Sequence, residues 1–322
     1  VTQFLTENFW YIKDGEFSRN PNLSYNLQIP FNAKLQLARA LMLSPLFQTT
    51  HIIFLYPFNS ISTENNLRLE SFFIVNSSNL SSKDLNISND DFKQFNFNYY
   101  PSIINNQINQ KRILTWIGIH APTEKISQRM LYALLGAISL FEDSKKRYCF
   151  NGEPKDSGCA YFPNDYQYTY KETADLLPSL YFKLKIGNDL STHLKDISNF
   201  MSCMSKESER SILALTNFYK SWFEDEAGQY RSLCTCIESL IEDTRTKSSQ
   251  KFKNLCLQYS NKFDNNQISH LLNIRGSIVH GKAPHLSDSS YYDSYFETYL
   301  SEPLADLLNI VEIVLKGHIF NI

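Results

Sequence analysis

Residues Tyr230–Ile241 read YRSLCTCIESLI. Tyr230, Leu233, Cys234, Ile237, Leu240 and Ile241 recur at the i, i+3, i+4, i+7 spacing that lays apolar side chains along one face of an α-helix. The same spacing repeats on both sides. Upstream, Ile212, Leu215, Tyr219 and Trp222 form a stripe. Downstream lie three more: Phe252, Leu255, Cys256, Tyr259 and Phe263; Ile268, Leu271, Leu272 and Val279; and Leu300, Leu304, Leu307, Leu308, Val311 and Leu315. Gly228, Asp264-Asn265-Asn266 and Gly281–Pro284 punctuate them. Helices that each carry one apolar stripe must pack on one another, so the C-terminal part is expected to be a helical bundle.

Before residue 175 the text differs. Phe4–Ile12 is aromatic-rich and strand-like, and Leu35–Leu43 (LQLARALML) has helical spacing up to Pro45. His51–Phe58 (HIIFLYPF) is a continuous apolar run, the pattern of a strand buried on both faces. Leu67–Val75 and Ile113–Ile119 (ILTWIGI) read as further strands. Ser127–Phe141 reads as a helix with Ser127 as its cap. The Ser- and Asn-rich stretch 76–109 reads as loops, and 147–170 as a hairpin that holds the last strand character. The expectation is an α+β protein: a mixed α/β N-terminal domain over residues 1–170, a helical connector over 171–204, and an all-α domain over 205–322.

Composition narrows the function classes. The 322 residues (37.4 kDa) are 43% hydrophobic and 20% charged, ample for packed cores. The net charge is −2, so no global positive field announces a nucleic-acid binder. No apolar run reaches the roughly 18–20 residues of a membrane span. Val1–Asn20 has neither a basic n-region nor an apolar h-region, and the expectation is a soluble, cytoplasmic protein. The six cysteines (149, 159, 203, 234, 236 and 256) lack the paired spacings of a zinc site and read as reduced thiols. Phosphate-binding Gly loops, GxSxG and HExxH are absent from the sequence. No metal or cofactor is expected. His51 and His120 sit at strand ends and read as structural.

One segment stands apart: Leu271–His285, LLNIRGSIVHGKAPH. Positions 268, 271, 272, 275 and 279 share a helical face, so Arg275 falls where a core residue belongs. A guanidinium there needs a partner, because desolvating it is costly. Glu238, bordering the Tyr230–Ile241 stripe, is the candidate to orient it. His280 follows five residues later and would point about 140° away on an unbroken helix. Gly281 and Pro284 suggest that the helix ends there, letting the imidazole swing back towards Arg275. Lys282 and His285 would extend this small positive site.

Arg-x4-His in a helix-ending IVHG context, set in all-helical surroundings before a final long helix, resembles the HEPN superfamily, especially its ApeA-like branch. The resemblance covers residues 205–322. It implies a metal-independent endoribonuclease in which two protomers face each other and their Arg/His pairs form one cleft. Carried onto this chain, His280 is the general base or acid on the ribose 2′-hydroxyl and Arg275 holds the scissile phosphate. Glu238 supports the Arg, while Lys282 and His285 contact RNA. Family members commonly carry a polar residue after the Arg; Gly276 stands here. The resemblance also implies a homodimer formed through the helical domain. By analogy it suggests a phage-defence or toxin effector whose N-terminal half senses a phage-derived or nucleotide trigger. Other readings stand beside it: a non-catalytic dimerisation module, or a metal site at His280, His285 and Asp288. Tyr291, Tyr292, Tyr295, Phe296 and Tyr299 read as core or interface rather than a base-stacking platform. Residues 205–322 carry 12 basic and 15 acidic side chains, so RNA affinity is expected to be modest and salt-dependent.

Overall fold

A computed structural model of the chain describes residues 12–13, 16–17, 52–58, 61–104, 107–142, 158–162, 169–172, 184–203, 205–241, 248–281 and 283–322. The helix expected at Leu35–Leu43 lies outside them, as does all of the Phe4–Ile12 strand except Ile12. Residues 1–50 and 51–322 are separate units. In the first, β1 (Ile12–Lys13) pairs antiparallel with β2 (Glu16–Phe17).

The second unit begins with β3 (Ile52–Phe58), the apolar run singled out above, followed by β4 (Ile61–Thr63), β5 (Leu67–Arg68) and β6 (Phe72–Asn76). Next come two short helices, α1 (Ser82–Leu85) and α2 (Asn89–Gln94). The hairpin of β7 (Tyr99–Ile104) and β8 (Gln107–Arg112) leads to β9 (Thr115–Ala121) and α3 (Glu124–Leu140). After β10 (Gly158–Phe162), β11 (Thr169–Glu172) and β12 (Leu184–Ile186), the rest is helical. The helices are α4 (Asn188–Ser202), α5 (Lys206–Ser221), α6 (Glu226–Leu240), α7 (Ser248–Tyr259), α8 (Asn265–Val279), α9 (Ser290–Tyr299) and α10 (Pro303–Phe320). The fold is α+β: an antiparallel sheet first, then mostly helices.

The sheet runs β11-β10-β3-β9-β6-β5, antiparallel throughout. Side chains along a strand alternate between its faces. On β3, Ile53 and Leu55 join Phe73, Val75 and Trp116 in a cluster closed by Leu80, Leu85, Phe95 and Phe97. Phe54, Tyr56 and Phe58 turn the other way, with Phe72, Ile74, Ile117 and Ile119, into the core shared with the helices. Both faces are covered, which is why the run is apolar without interruption. Pro57 donates no amide, and the β10 ladder spans only Ile53–Leu55, stopping short of it.

Several local expectations change. Leu67–Val75 is a hairpin, because Leu69 turns back to donate its amide to the Phe72 carbonyl. Within 76–109 lie α1, α2 and β7, where Ser81 and Ser88 sit at helix N-caps; Asn and Ser there stop and start helices as well as form loops. Helix α3 starts four residues early, capped by Thr123, whose hydroxyl accepts from the Ile126 amide. Ser127 is buried instead, 2.9 Å from the Tyr56 hydroxyl. Strand character extends to β12, which pairs in parallel with β4. Gly228 lies inside α6, its amide bonded to the Asp225 cap. Leu300 belongs to no stripe: it ends α9 with φ 52° and is 82% exposed.

One apolar core runs from the sheet through the bundle, from Phe54 to Phe320. Within it α3 packs closely on α5. Ala133, Gly136 and Ala137 are fully buried on α3, as is Ala214 on α5. A Cβ at Gly136 would lie only 2.1 Å from the Leu215 carbonyl oxygen. The two backbones therefore touch, and only glycine fits. Helix α4 is tied to the sheet by the Ser71 hydroxyl, which donates to the Ser198 carbonyl (2.9 Å) and meets the Ser202 hydroxyl (2.7 Å).

Two predictions follow from this packing. Gly136→Ala must push α3 and α5 apart, and we expect it to lower unfolding free energy by about 1–3 kcal/mol. Urea denaturation checks this. The second concerns His318 on α10, whose Nδ1 lies 3.2 Å from the Tyr259 hydroxyl of α7. Burial lowers its pKa below the ordinary histidine value, against a weaker opposing pull from Glu207. The unfolded chain thus binds the proton more readily, so this contribution to stability is present at neutral pH and lost on acidification. Between about pH 7 and pH 5, the wild type should lose more stability than His318→Asn in the same titration.

Candidate functional site

The segment around Arg275 is built by α6 and α8. Asp264 caps α8, its carboxylate accepting from the Asn266 and Gln267 amides at 2.8 and 2.7 Å. Ile268, Leu271, Ile274 and Ile278 bury the inner face. Arg275 sits beside that face, half-buried, with 30% of its side chain exposed, and Glu238 of α6 matches it at 30%. The Arg275 Nη2 donates to Glu238 Oε2 at 2.7 Å, and Oε1 lies equally near. One guanidinium nitrogen thus straddles a whole carboxylate. Nε is buried and has no hydrogen-bond partner, and Nη1 makes no hydrogen bond to another described residue. Nε is sealed from solvent, so an anion could meet only the part of the guanidinium that stays exposed.

His280 is placed differently from expectation. Helix α8 does not unwind before it: the His280 amide donates to the Gly276 carbonyl at 3.1 Å, in the helical register. The turn comes one residue later, at Gly281, with φ 69°. In that conformation a side chain is strained, which accounts for the glycine. His280 therefore keeps its helical direction, about 140° around the axis from Arg275, and is exposed. Its imidazole makes no hydrogen bond to Arg275 or to any other described residue.

Lys282 lies outside the described residues. His285 is exposed, and its amide donates to the Asp288 carboxylate at 2.9 Å, opening a single 3-10 turn. Among the described residues, no group of three His, Cys, Asp or Glu side chains could hold a metal ion, which removes the site imagined at His280, His285 and Asp288.

The tyrosine cluster divides. Tyr295 is fully buried, and its hydroxyl donates to Asp306 (2.7 Å) while accepting from Gln267 (3.0 Å). Burial, then the Asp306 carboxylate, pushes its pKa far up. Tyr292 and Tyr299 pack half-buried against the core, whereas Tyr291 and Phe296 are exposed. His270 sits edge-on to the rings of Tyr291, Tyr295 and Tyr299 and bonds the Ser294 hydroxyl at 2.9 Å.

Of the cysteines, Cys234, Cys236 and Cys256 are buried free thiols and Cys203 is exposed. Burial pushes Cys256 up to about 12. It raises Cys234 as well, against an opposing pull from Arg275 and with a further push from Glu238. These thiols are packing groups, not nucleophiles. Cys149 lies outside the described residues, and only the backbone of Cys159 falls among them.

The sequence reading missed two polar anchors. Tyr230, counted as one apolar stripe residue among several, donates its hydroxyl to the Leu271 carbonyl at 2.9 Å. Asp306 accepts from Tyr295, Gln267 and Ser301. A tyrosine where an aliphatic side chain would suffice is the signal that could have found the first, since a buried phenol needs a partner. Compared with known proteins, the chain matches no family model, no curated protein and no solved structure.

Gly276 gives this site its own test. A Cβ there would meet nothing within 4 Å. Gly276→Ala should therefore stabilise α8 by about 0.5–1 kcal/mol through helix propensity alone. A higher urea midpoint is the expected result.

Proposed function

We propose that the chain is a HEPN-like, metal-independent endoribonuclease that works as a homodimer. The observation that carries this reading is the guanidinium of Arg275. It is half-buried, gripped on one nitrogen by Glu238, and unsatisfied at Nε, on the helix that ends in His280. Arg275 would bind the scissile phosphate and stabilise charge on its non-bridging oxygens. His280 would take the proton from the ribose 2′-hydroxyl, or deliver one to the leaving oxygen. The 2′-oxygen attacks phosphorus, the bond to the 5′-oxygen breaks, and that oxygen leaves with a proton. The products are a 2′,3′-cyclic phosphate and a 5′-hydroxyl. RNA supplies its own nucleophile.

The divergence of Arg275 and His280 around α8 favours two chains over one. A single copy presents the groups on different sides of a helix, whereas facing copies can surround one phosphate. Lys282 and His285 would add contacts to RNA. A role as a phage-defence or toxin effector in the cytoplasm, with the sheet-bearing half answering a phage-derived or nucleotide trigger, rests on fold-level analogy. The same divergence favours a second reading, a non-catalytic dimerisation module in which Arg275 and Glu238 simply join α6 to α8. No helix among the described residues is long and apolar enough to cross a membrane.

RNA cleavage in EDTA separates the two readings. Wild type should cleave with cyclic-phosphate ends. Arg275→Ala and His280→Ala should each lose about 10²–10⁴-fold while remaining folded and dimeric. Equal cleavage by all three proteins, or none by the wild type, overturns the enzyme.

A further inference from the structure

Two hydrogen bonds cross between α6 and α8. One is the Glu238–Arg275 pair; the other runs from the Tyr230 hydroxyl to the Leu271 carbonyl at 2.9 Å. On α6 the two anchors are eight residues apart, about two turns. On α8 they are four apart, about one turn. A helix held at one point can still pivot and slide. Held at two separated points, it has neither freedom. Leu271 is also the residue whose carbonyl receives the Arg275 amide in the helical ladder of α8. The Tyr230 hydroxyl therefore grips the turn from which Arg275 projects.

We propose that Tyr230 is a positioning residue for Arg275, acting with Glu238 as a two-point clamp that sets the rotation of α8. Tyr230 is fully buried, in the core that also holds Leu233, Cys234 and Leu271. Burial, reinforced by nearby Cys234, holds its pKa well above the ordinary phenol value, so the hydroxyl remains a donor throughout the usable pH range. Phenylalanine would fill the same space without the hydroxyl. Its cost would thus be orientation rather than packing. The catalytic part of this inference rests on the endoribonuclease reading above; the clamp itself does not.

The experiment is a double-mutant cycle with Tyr230→Phe and Glu238→Gln in the full chain, read in two ways. In urea denaturation, the midpoint shift of the double variant should fall short of the sum of the single shifts, because each anchor depends on the other to hold α8. Additive shifts overturn the clamp. In RNA cleavage, Tyr230→Phe should lower kcat about tenfold, by misplacing Arg275, with little change in KM. The same change made in Glu238→Gln should cost clearly less. Full kcat in Tyr230→Phe overturns the positioning role. Should the wild type not cleave RNA, the enzymatic reading fails, and the urea cycle still decides the clamp.

Discussion

The contact between Gly136 and the Leu215 carbonyl sets the geometry of residues 51–322. Helix α3 lies on the sheet and α5 belongs to the bundle. A close approach of their backbones converts two layers into one body with one core. Small residues are what permit it: Ala133, Gly136 and Ala137 meet Ala214 where larger side chains would hold the helices apart. Everything downstream inherits this placement. Helix α5 carries α6 through the continuous core, α6 carries Tyr230 and Glu238, and these fix α8 with Arg275.

Much of this was legible in the chain. The stripes at Tyr230–Ile241 and Ile212–Trp222 bury the faces their spacing implies, because a 3.6-residue period admits one geometry. Ile52–Phe58 (IIFLYPF) is a strand covered on both faces, as its unbroken apolar run required. Glu238 meets Arg275 because a half-buried cation needs a carboxylate partner. What was not legible depends on neighbours distant in sequence. Ser127 looks like a cap until Tyr56 is known to face it. Gly136 looks like a helix weakness until Leu215 is known to press on it. Leu300 matches a stripe by arithmetic, yet the positive φ that ends α9 turns it out to solvent.

The position of His280 shows how finely helix endings matter. Gly281 signals a stop, and the reading of the segment turned on whether the stop falls before or after the histidine. The ladder continues through the His280 amide, so a single residue separates a converging pair from a diverging one. Arg275 and His280 then face different directions from a shared rigid support.

The shared core also has a bearing on how the chain can be divided. A fragment cut at residue 205 would keep every helix of the candidate site. It would also leave Ala214, Leu215 and Tyr219 facing water where α3 now lies. Such a fragment would present a bare apolar stripe beside a flattened backbone, a surface prone to self-association. Excised, the helical third would therefore self-associate through a face that the intact chain keeps buried.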